Sequence, residues 1–325
     1  MSSTSNQAAR NIPLAVRSPA APILEPRTGE QYWWERHGTF NPGVAEYQKN
    51  IILLYRAYDD FRISRLGLAN SQDGVHFTRY DHPAIDTNPD DPHERLGIED
   101  SRITQLGSTY YIVHTSASYH RIGDKKDVRG VRDYIPWRVR IGMHSTEDFH
   151  SFQHWGVILP DVPAKNACLL PEKIQGSFGL YYREHEDTRD ILKLTYTKDF
   201  KHWSPASVVE WPAAAEWQRF KFGIGSQPLA TPHGFLTVYH AVDESQVYRL
   251  GLLLLSREDP AHILWHSNPI LEPEMPYERE GYVPNVVYTC GALIRGQELW
   301  VYYGAADRVI GRAVVPLHDI WRNNS

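Results

Sequence analysis

One pattern recurs five times along the chain, and it restricts the fold more than any single motif. An aromatic-rich stretch of strand character ends in a polar or small residue. A polar loop and a second strand follow, and the unit closes, in most copies, on a turn that carries an aspartate. The copies begin at Ile51–Arg56, Tyr110–His114, Gly179–Arg183, Leu236–His240 and Leu299–Gly304. Their ends, Arg56, His114, Arg183, His240 and Gly304, recur about every 60 residues, which suits a unit of several short strands better than the shorter solenoid repeats. Helical periodicity is scarce between them, whereas β-type runs bounded by Gly, Asn, Asp and Pro are frequent. The expected fold is therefore all-β, a five-bladed β-propeller forming a single domain over residues 21–325. Residues 1–20 are expected to be a flexible N-terminal leader. A β-sandwich is the competing architecture. Asp73, Asp148, Asp199 and Asp259 read as turn formers, and Tyr302 and Tyr303 as packing residues.

In a propeller the inner strands line the axis, so the five strand ends are expected to converge on one pocket. The repeat brings Arg56, Asp100, Lys165, Arg183, Lys221, His240 and Asp307 toward that axis. Cations outnumber carboxylates in this set, although the whole chain carries a formal net charge of -5. Arginine offers paired donors and lysine a point charge, so the cluster suits phosphate or another oxyanion. No glycine loop of the nucleotide-binding kind opens a helix, no His/Cys spacing suggests a metal, and no serine elbow is present. No metal and no cofactor are expected.

The carboxylates that remain point to one reaction class. Ordinary glycoside hydrolysis uses two carboxyls, one as acid and one as nucleophile or base. Here a single carboxylate-bearing run, Gly97-Ile98-Glu99-Asp100-Ser101-Arg102-Ile103, faces a basic cluster. A phosphate bound by that cluster can itself attack the anomeric carbon, and then one protein carboxyl suffices. That is the logic of a phosphorylase. Glu99 and Arg102 are also candidates for a rigidifying ion pair.

Other classes are disfavoured. The net charge gives no general reason to expect nucleic acid or a membrane surface. The longest apolar runs, such as Leu252–Leu255, are far too short to span a bilayer. The first residues lack the apolar core of a secretory signal, and the 2 cysteines indicate no disulfide framework. A cytoplasmic protein is expected, with self-association left open.

Several strings resemble glycoside hydrolase family 130. They are Phe40-Asn41-Pro42-Gly43, Leu54-Tyr55-Arg56, the run Gly97–Ile103, Leu170-Pro171-Glu172-Lys173-Ile174, Gly223-Ile224-Gly225, Tyr239-His240, Gly281–Val287 and Tyr302–Asp307. They cover the chain from about residue 20 onward and fall in the family's order. The resemblance implies a five-bladed propeller that phosphorolyses β-mannosides with inversion, giving α-mannose 1-phosphate. It implies that Asp100 is the general acid, acting through the mannose 3-hydroxyl. Lys165, Arg183, Lys221 and His240, with Tyr248, would bind phosphate. Asn41, Arg56 and Asp307 would hold the mannose, and Arg102 would support the acid. Inorganic phosphate is then the co-substrate and a mannose-containing oligosaccharide the partner, with β-1,2-linked mannobiose or oligomannan favoured.

Three positions depart from the family's pattern. Ser101 replaces a proline, which is expected to loosen the turn. Asn166 replaces an aspartate, and Tyr182 stands where histidine is common, with an altered phosphate or acceptor subsite as the expected effect. The competing readings are a β-mannosidase of the same fold, a mannosyltransferase that builds β-1,2-mannan from a sugar nucleotide, and a non-catalytic sugar-binding propeller. Retention of the basic residues argues for phosphate.

Overall fold

The computed structural model describes residues 9–119, 138–186, 189–212 and 215–322. The charged insertion of the second repeat (121–137) and residues 1–8 of the expected leader lie outside them. Strands make up most of the regular structure of the described chain, and among the described residues no helix is long and apolar enough to cross a membrane.

A two-residue strand, β1 (Val16–Arg17), precedes five consecutive antiparallel meanders. The first is β2 (Gly38–Tyr47), β3 (Asn50–Tyr58), β4 (Ser64–Ser71) and β5 (Thr78–Arg79). The second is β6 (Gly97–Leu106), β7 (Thr109–Ser118), β8 (Arg138–Thr146) and β9 (Gln153–Leu159). The third is β10 (Ala164–Leu169), β11 (Phe178–Glu186), β12 (Arg189–Thr197) and β13 (Ser207–Val208). The fourth is β14 (Lys221–Ile224), β15 (Leu229–Thr231), β16 (Gly234–Val242), β17 (Tyr248–Leu255) and β18 (Ile263–His266). The fifth is β19 (Val287–Arg295), β20 (Glu298–Ala305) and β21 (Val309–Pro316), completed by β1, which pairs antiparallel with β21. The first two meanders share one sheet through a single parallel pairing, Ser64 with Gly97.

The N-terminal segment departs from the sequence expectation. From Arg10 onward it is packed rather than free. The Arg10 amide donates to the His266 carbonyl (2.9 Å) and the Ala15 amide to the Ile270 carbonyl (2.7 Å). Ile12 and Ala15 are buried in the same core cluster as Leu250, Trp265 and Ile270. The apolar side chains spaced along this stretch are what pull it down.

The repeated turns take the form the aspartates suggest. Oδ1 of Asp73 accepts the amides of Val75 and His76, that of Asp148 the amides of His150 and Ser151, and that of Asp199 the amides of Lys201 and His202. Asp259 accepts from Ala261. Tyr302 and Tyr303 are fully buried, as expected of packing residues.

The core lies between adjacent sheets, so central strands are apolar on both faces. The run Leu250-Gly251-Leu252-Leu253-Leu254-Leu255 in β17 is the clearest case. Leu250, Leu252 and Leu254 face one cluster, with Val301 and Val315, whereas Leu253 and Leu255 face another, with Leu194 and Tyr239. Leu253→Ala is therefore expected to lower the free energy of unfolding by about 2–5 kcal/mol. Urea titration followed by tryptophan fluorescence measures this; a loss under about 1 kcal/mol means the site relaxes and the packing is looser than described.

Candidate active site

The site begins with three of the register shifts in the sheets. β2 shifts register between Phe40 and Gly43, β6 between Glu99 and Arg102, and β10 between Lys165 and Cys168. At each bulge one residue has a left-handed backbone: Asn41 (φ 47), Asp100 (φ 53) and Asn166 (φ 55). Asn and Asp tolerate this region better than other non-glycine residues, and a bulge re-aims the side chain it carries. All three line one cavity of about 380 Å³. Asp307 (φ 51), in the turn between β20 and β21, lines it as well.

Around these residues lie Arg56, Lys165, Arg183, Lys221, His240 and Tyr248. Asp100 Oδ1 accepts from Asn41 Nδ2 at 2.9 Å and from Arg56 Nη1 at 3.3 Å. Glu99 spends one oxygen on Arg56 Nη2 (2.9 Å) and the other on Lys165 Nζ (3.0 Å). Arg102, 1% exposed, lies beneath the cavity and donates to the backbone oxygens of Gly225 (2.7 Å), Ile224 (3.2 Å) and Asp100 (2.8 Å), and to the Tyr288 hydroxyl (3.0 Å). Among the described residues Lys221 makes no ion pair; its ammonium lies 5.0 Å from the centre of the Tyr248 ring.

The two carboxylates are pushed in opposite directions. Burial alone would raise Asp100, but Arg56, Lys165, the Asn41 amide and Arg102 outweigh it and hold the carboxyl below its ordinary range. Asp307 is pushed up to about 6 by burial and by the negative charges of Asp100 and Glu99, against the pull of Arg56 and Lys221. His240 is held well below the usual imidazole range by burial and by Arg183, Arg102 and Lys221, so it is neutral near pH 7. Its Nδ1 is buried without a hydrogen-bond partner, as are Oδ1 of Asn41 and Oδ1 of Asn166. Three orphaned polar atoms on one cavity are what a polar ligand would satisfy.

Of the residues the sequence singled out, Asn41, Arg56, Asp100, Lys165, Arg183, Lys221, His240, Tyr248 and Asp307 all line the cavity. Two strand ends expected there do not. The buried His114 ring is bonded to His144 Nδ1 in the neighbouring strand at 3.0 Å. Gly304 contributes room, because a Cβ there would collide with Asn41 Oδ1. The suggested Glu99–Arg102 ion pair does not form; Glu99 serves Arg56 and Lys165 instead.

Tyr288 was not anticipated. Its hydroxyl receives Arg102 and Asn166 (2.5 Å), and its ring stands 4.6 Å from that of His240. A second group the spacing concealed is Asp91, Glu94 and His154, whose ligand atoms lie within 4.8 Å of one another. His154 Nε2 is 3.1 Å from Glu94 Oε1.

A family model described as beta-1,4-mannooligosaccharide phosphorylase, of glycoside hydrolase family 130, matches residues 10–322. The chain belongs to glycoside hydrolase family 130. A 1,2-beta-oligomannan phosphorylase of Thermoanaerobacter sp. (strain X514) is 36% identical over 308 residues, covering 92% of this chain and 96% of that one. A beta-1,2-mannobiose phosphorylase of the same organism is 34% identical, covering 90% and 94%. The solved structure of the β-1,2-mannobiose phosphorylase of Listeria innocua, in complex with β-1,2-mannobiose, matches with a TM-score of 0.81 at 25% identity, over 95% of this chain and 98% of that one.

The departures from the family 130 pattern take on physical form here. Ser101 does not loosen its turn: the buried hydroxyl donates to the Leu54 carbonyl at 3.0 Å and ties β6 to β3. Tyr182 is packed in a core cluster with Leu180 and Phe178, away from the cavity lining, because alternate residues of β11 face opposite ways and Arg183 takes the pocket side. Asn166, by contrast, is on the cavity.

The raised Asp307 has a measurable consequence. Between its ordinary value of 3.8 and about 6, the native state holds a proton that the unfolded chain has released. Its contribution to stability therefore falls as pH rises through that window and is constant above it. Asp307→Asn is expected to gain stability relative to the parent as pH rises from about 4 to about 6, with no further gain at pH 8. Thermal melts across that range check this; a pH-independent difference would remove the raised carboxyl.

Proposed function

We propose that this family 130 chain is an inverting phosphorylase of β-mannosides, acting on β-1,2-linked mannobiose or oligomannan and releasing α-mannose 1-phosphate. One observation carries the reading. Among the described residues lining the pocket, Asp100 is the carboxyl placed to serve as acid: its bulge aims it into the cavity, Glu99 beside it is committed to two cations, and Asp307, raised to about 6, is assigned to the sugar in this reading. With it on the cavity stand Lys221, without an ion-pair partner among the described residues, Arg183, and a neutral His240 with an orphaned ring nitrogen. A hydrolase needs a second carboxylate to activate water. This pocket offers an anion site in its place. The β-1,2 linkage is favoured because the relatives at 36% and 34% identity carry that linkage in their names, against 28% for a β-1,4-mannooligosaccharide phosphorylase of Ruminococcus albus.

The architecture in this reading is a five-bladed propeller. Each meander is one blade, and the β1–β21 pairing closes the ring by joining the two ends of the chain. Mannose sits against Asn41, Arg56 and Asp307. Phosphate binds Arg183, Lys221 and His240, with Lys165 and Tyr248 beside them. A phosphate oxygen attacks the anomeric carbon from the face opposite the leaving oxygen. That oxygen takes the proton of the mannose 3-hydroxyl, and Asp100 supplies one to the 3-oxygen.

Asp100 must be protonated for this step, yet the surrounding cations hold it ionised. Bound phosphate adds negative charge against those same cations, which shifts the carboxyl toward its acid form. Substrate binding thus loads the acid. The enzyme needs only inorganic phosphate as co-substrate, and its 2 buried free cysteines suit a reducing cytoplasm.

The test is product analysis with β-1,2-mannobiose, with and without phosphate. Mannose 1-phosphate is expected only when phosphate is present; mannose release at equal rate without it would replace phosphorolysis by hydrolysis. Asp100→Asn is expected to lower kcat by about 100-fold or more, the scale of general acid catalysis. Lys221→Ala is expected to raise the phosphate KM by about 10-fold or more, as loss of a charge-assisted contact does. An unchanged phosphate KM would move the anion site elsewhere.

A further inference from the structure

One wall of the pocket differs from its ionic floor. Tyr282 lines the cavity although 58% of its surface is exposed. The Arg62 guanidinium carbon lies 3.7 Å from the centre of the Tyr282 ring and 4.9 Å from that of Tyr58. The two tyrosine rings are 6.0 Å apart, and His37 stacks near-parallel to Tyr58 at 6.3 Å. The Tyr58 hydroxyl reaches the Asp307 carbonyl at 3.5 Å, so the wall stands on a residue of the cavity lining.

The wall is held in place by its own turn. Asp59 Oδ1 accepts the amides of Phe61 and Ile63, which fixes the β3–β4 connection around Arg62 (φ 62). Among the described residues Arg62 makes no ion pair; its charge rests on two aromatic faces. An exposed tyrosine face beside free guanidinium donors matches a pyranose, which presents an apolar C–H face ringed by hydroxyls.

The position of the wall decides which sugar it meets. In an inverting displacement the nucleophile and the leaving group occupy opposite faces of the anomeric carbon. The anion-binding side chains come from β11, β14 and β16. Asp100, which must serve the leaving side, bonds to Asn41 and Arg56 in β2 and β3, the meander that also carries Tyr58 and Arg62. The leaving saccharide therefore departs along Tyr58, Arg62 and Tyr282. Tyr58 is buried and supports the other two, which are exposed at the mouth.

We propose that Arg62 and Tyr282, backed by Tyr58, hold the outer sugar units of the leaving β-mannoside chain and so favour oligosaccharides longer than a disaccharide. The proposal rests on the phosphorylase reading above and assigns the chain-length preference of that site.

The test compares kcat/KM for phosphorolysis of β-1,2-mannobiose, mannotriose and mannotetraose in the parent, Tyr282→Ala and Arg62→Ala. The parent is expected to prefer the trisaccharide and tetrasaccharide. In each variant the ratio of trisaccharide to disaccharide kcat/KM is expected to fall by about 10-fold, the size of one stacking contact, while the KM for phosphate stays at the parent value. A ratio unchanged in both variants, or a parent with no preference for the longer chains, overturns the assignment. Calorimetric binding of mannotriose to Asp100→Asn, with and without Tyr282→Ala, separates the two readings. Weakened binding in the double variant sustains the wall even if the parent shows no phosphate-dependent turnover, and equal binding rejects the wall whatever the reaction.

Discussion

Everything above the floor of the pocket depends on a guanidinium buried beneath its lining. Arg102 is buried, and its hydrogen bonds go to three backbone carbonyls and one phenol rather than to a carboxylate. Burying a charge is costly unless its donors are met, so these partners must be in place for the protein to fold as it does. They belong to different meanders: Asp100 to the second, Ile224 and Gly225 to the fourth, Tyr288 to the fifth. One side chain thereby sets the spacing of inner strands that share no ladder with one another. The bond to the Asp100 carbonyl also fixes the bulge that aims the acid.

Above that anchor, charge is arranged in a graded way. Glu99 stands between Arg56 and Lys165 and keeps both cations in the cavity without neutralising the side that faces Asp100. Asp100 and Asp307 then differ in proton affinity although both are aspartates on the same cavity. The difference arises from hydrogen bonding and the closest cations for Asp100, and from burial among like charges for Asp307. Two similar carboxyls pushed apart in this way can take different roles in one reaction.

Much of this was legible in the sequence because the repeated features are local. Strand alternation, the aspartate turns and the polar residues within apolar runs each leave a mark within a few positions, and Arg56, Asp100, Lys165, Arg183, Lys221, His240 and Asp307, which the repeat placed near the axis, all line one cavity, as do Asn41 and Tyr248, which only the resemblance to family 130 named. What escaped notice depends on partners far apart in the chain. The short strand Val16–Arg17 has no periodicity to read, and it forms because Val314 and Ala313, nearly the whole length of the chain away, offer an open edge. His114 looks like Arg56 or His240 by position, but His144 across the ladder claims its ring. Gly304 shows no chemistry of its own, and its part is to leave space for Asn41. Tyr288 follows a motif string by one residue, and only its contacts with Arg102 and His240 distinguish it from a core tyrosine.

The three bulges behave as sockets. Asn41, Asp100 and Asn166 sit at like places in successive meanders, each in a backbone conformation that asparagine and aspartate both accept. The two side chains have nearly the same shape and differ by one unit of charge. The sockets of Asn41 and Asn166 can therefore exchange amide for carboxylate without repacking a sheet, altering the pocket's balance between anion and water one step at a time, while the socket of Asp100 keeps the acid. The bulges let the chemistry of such a chain drift while its architecture stands still.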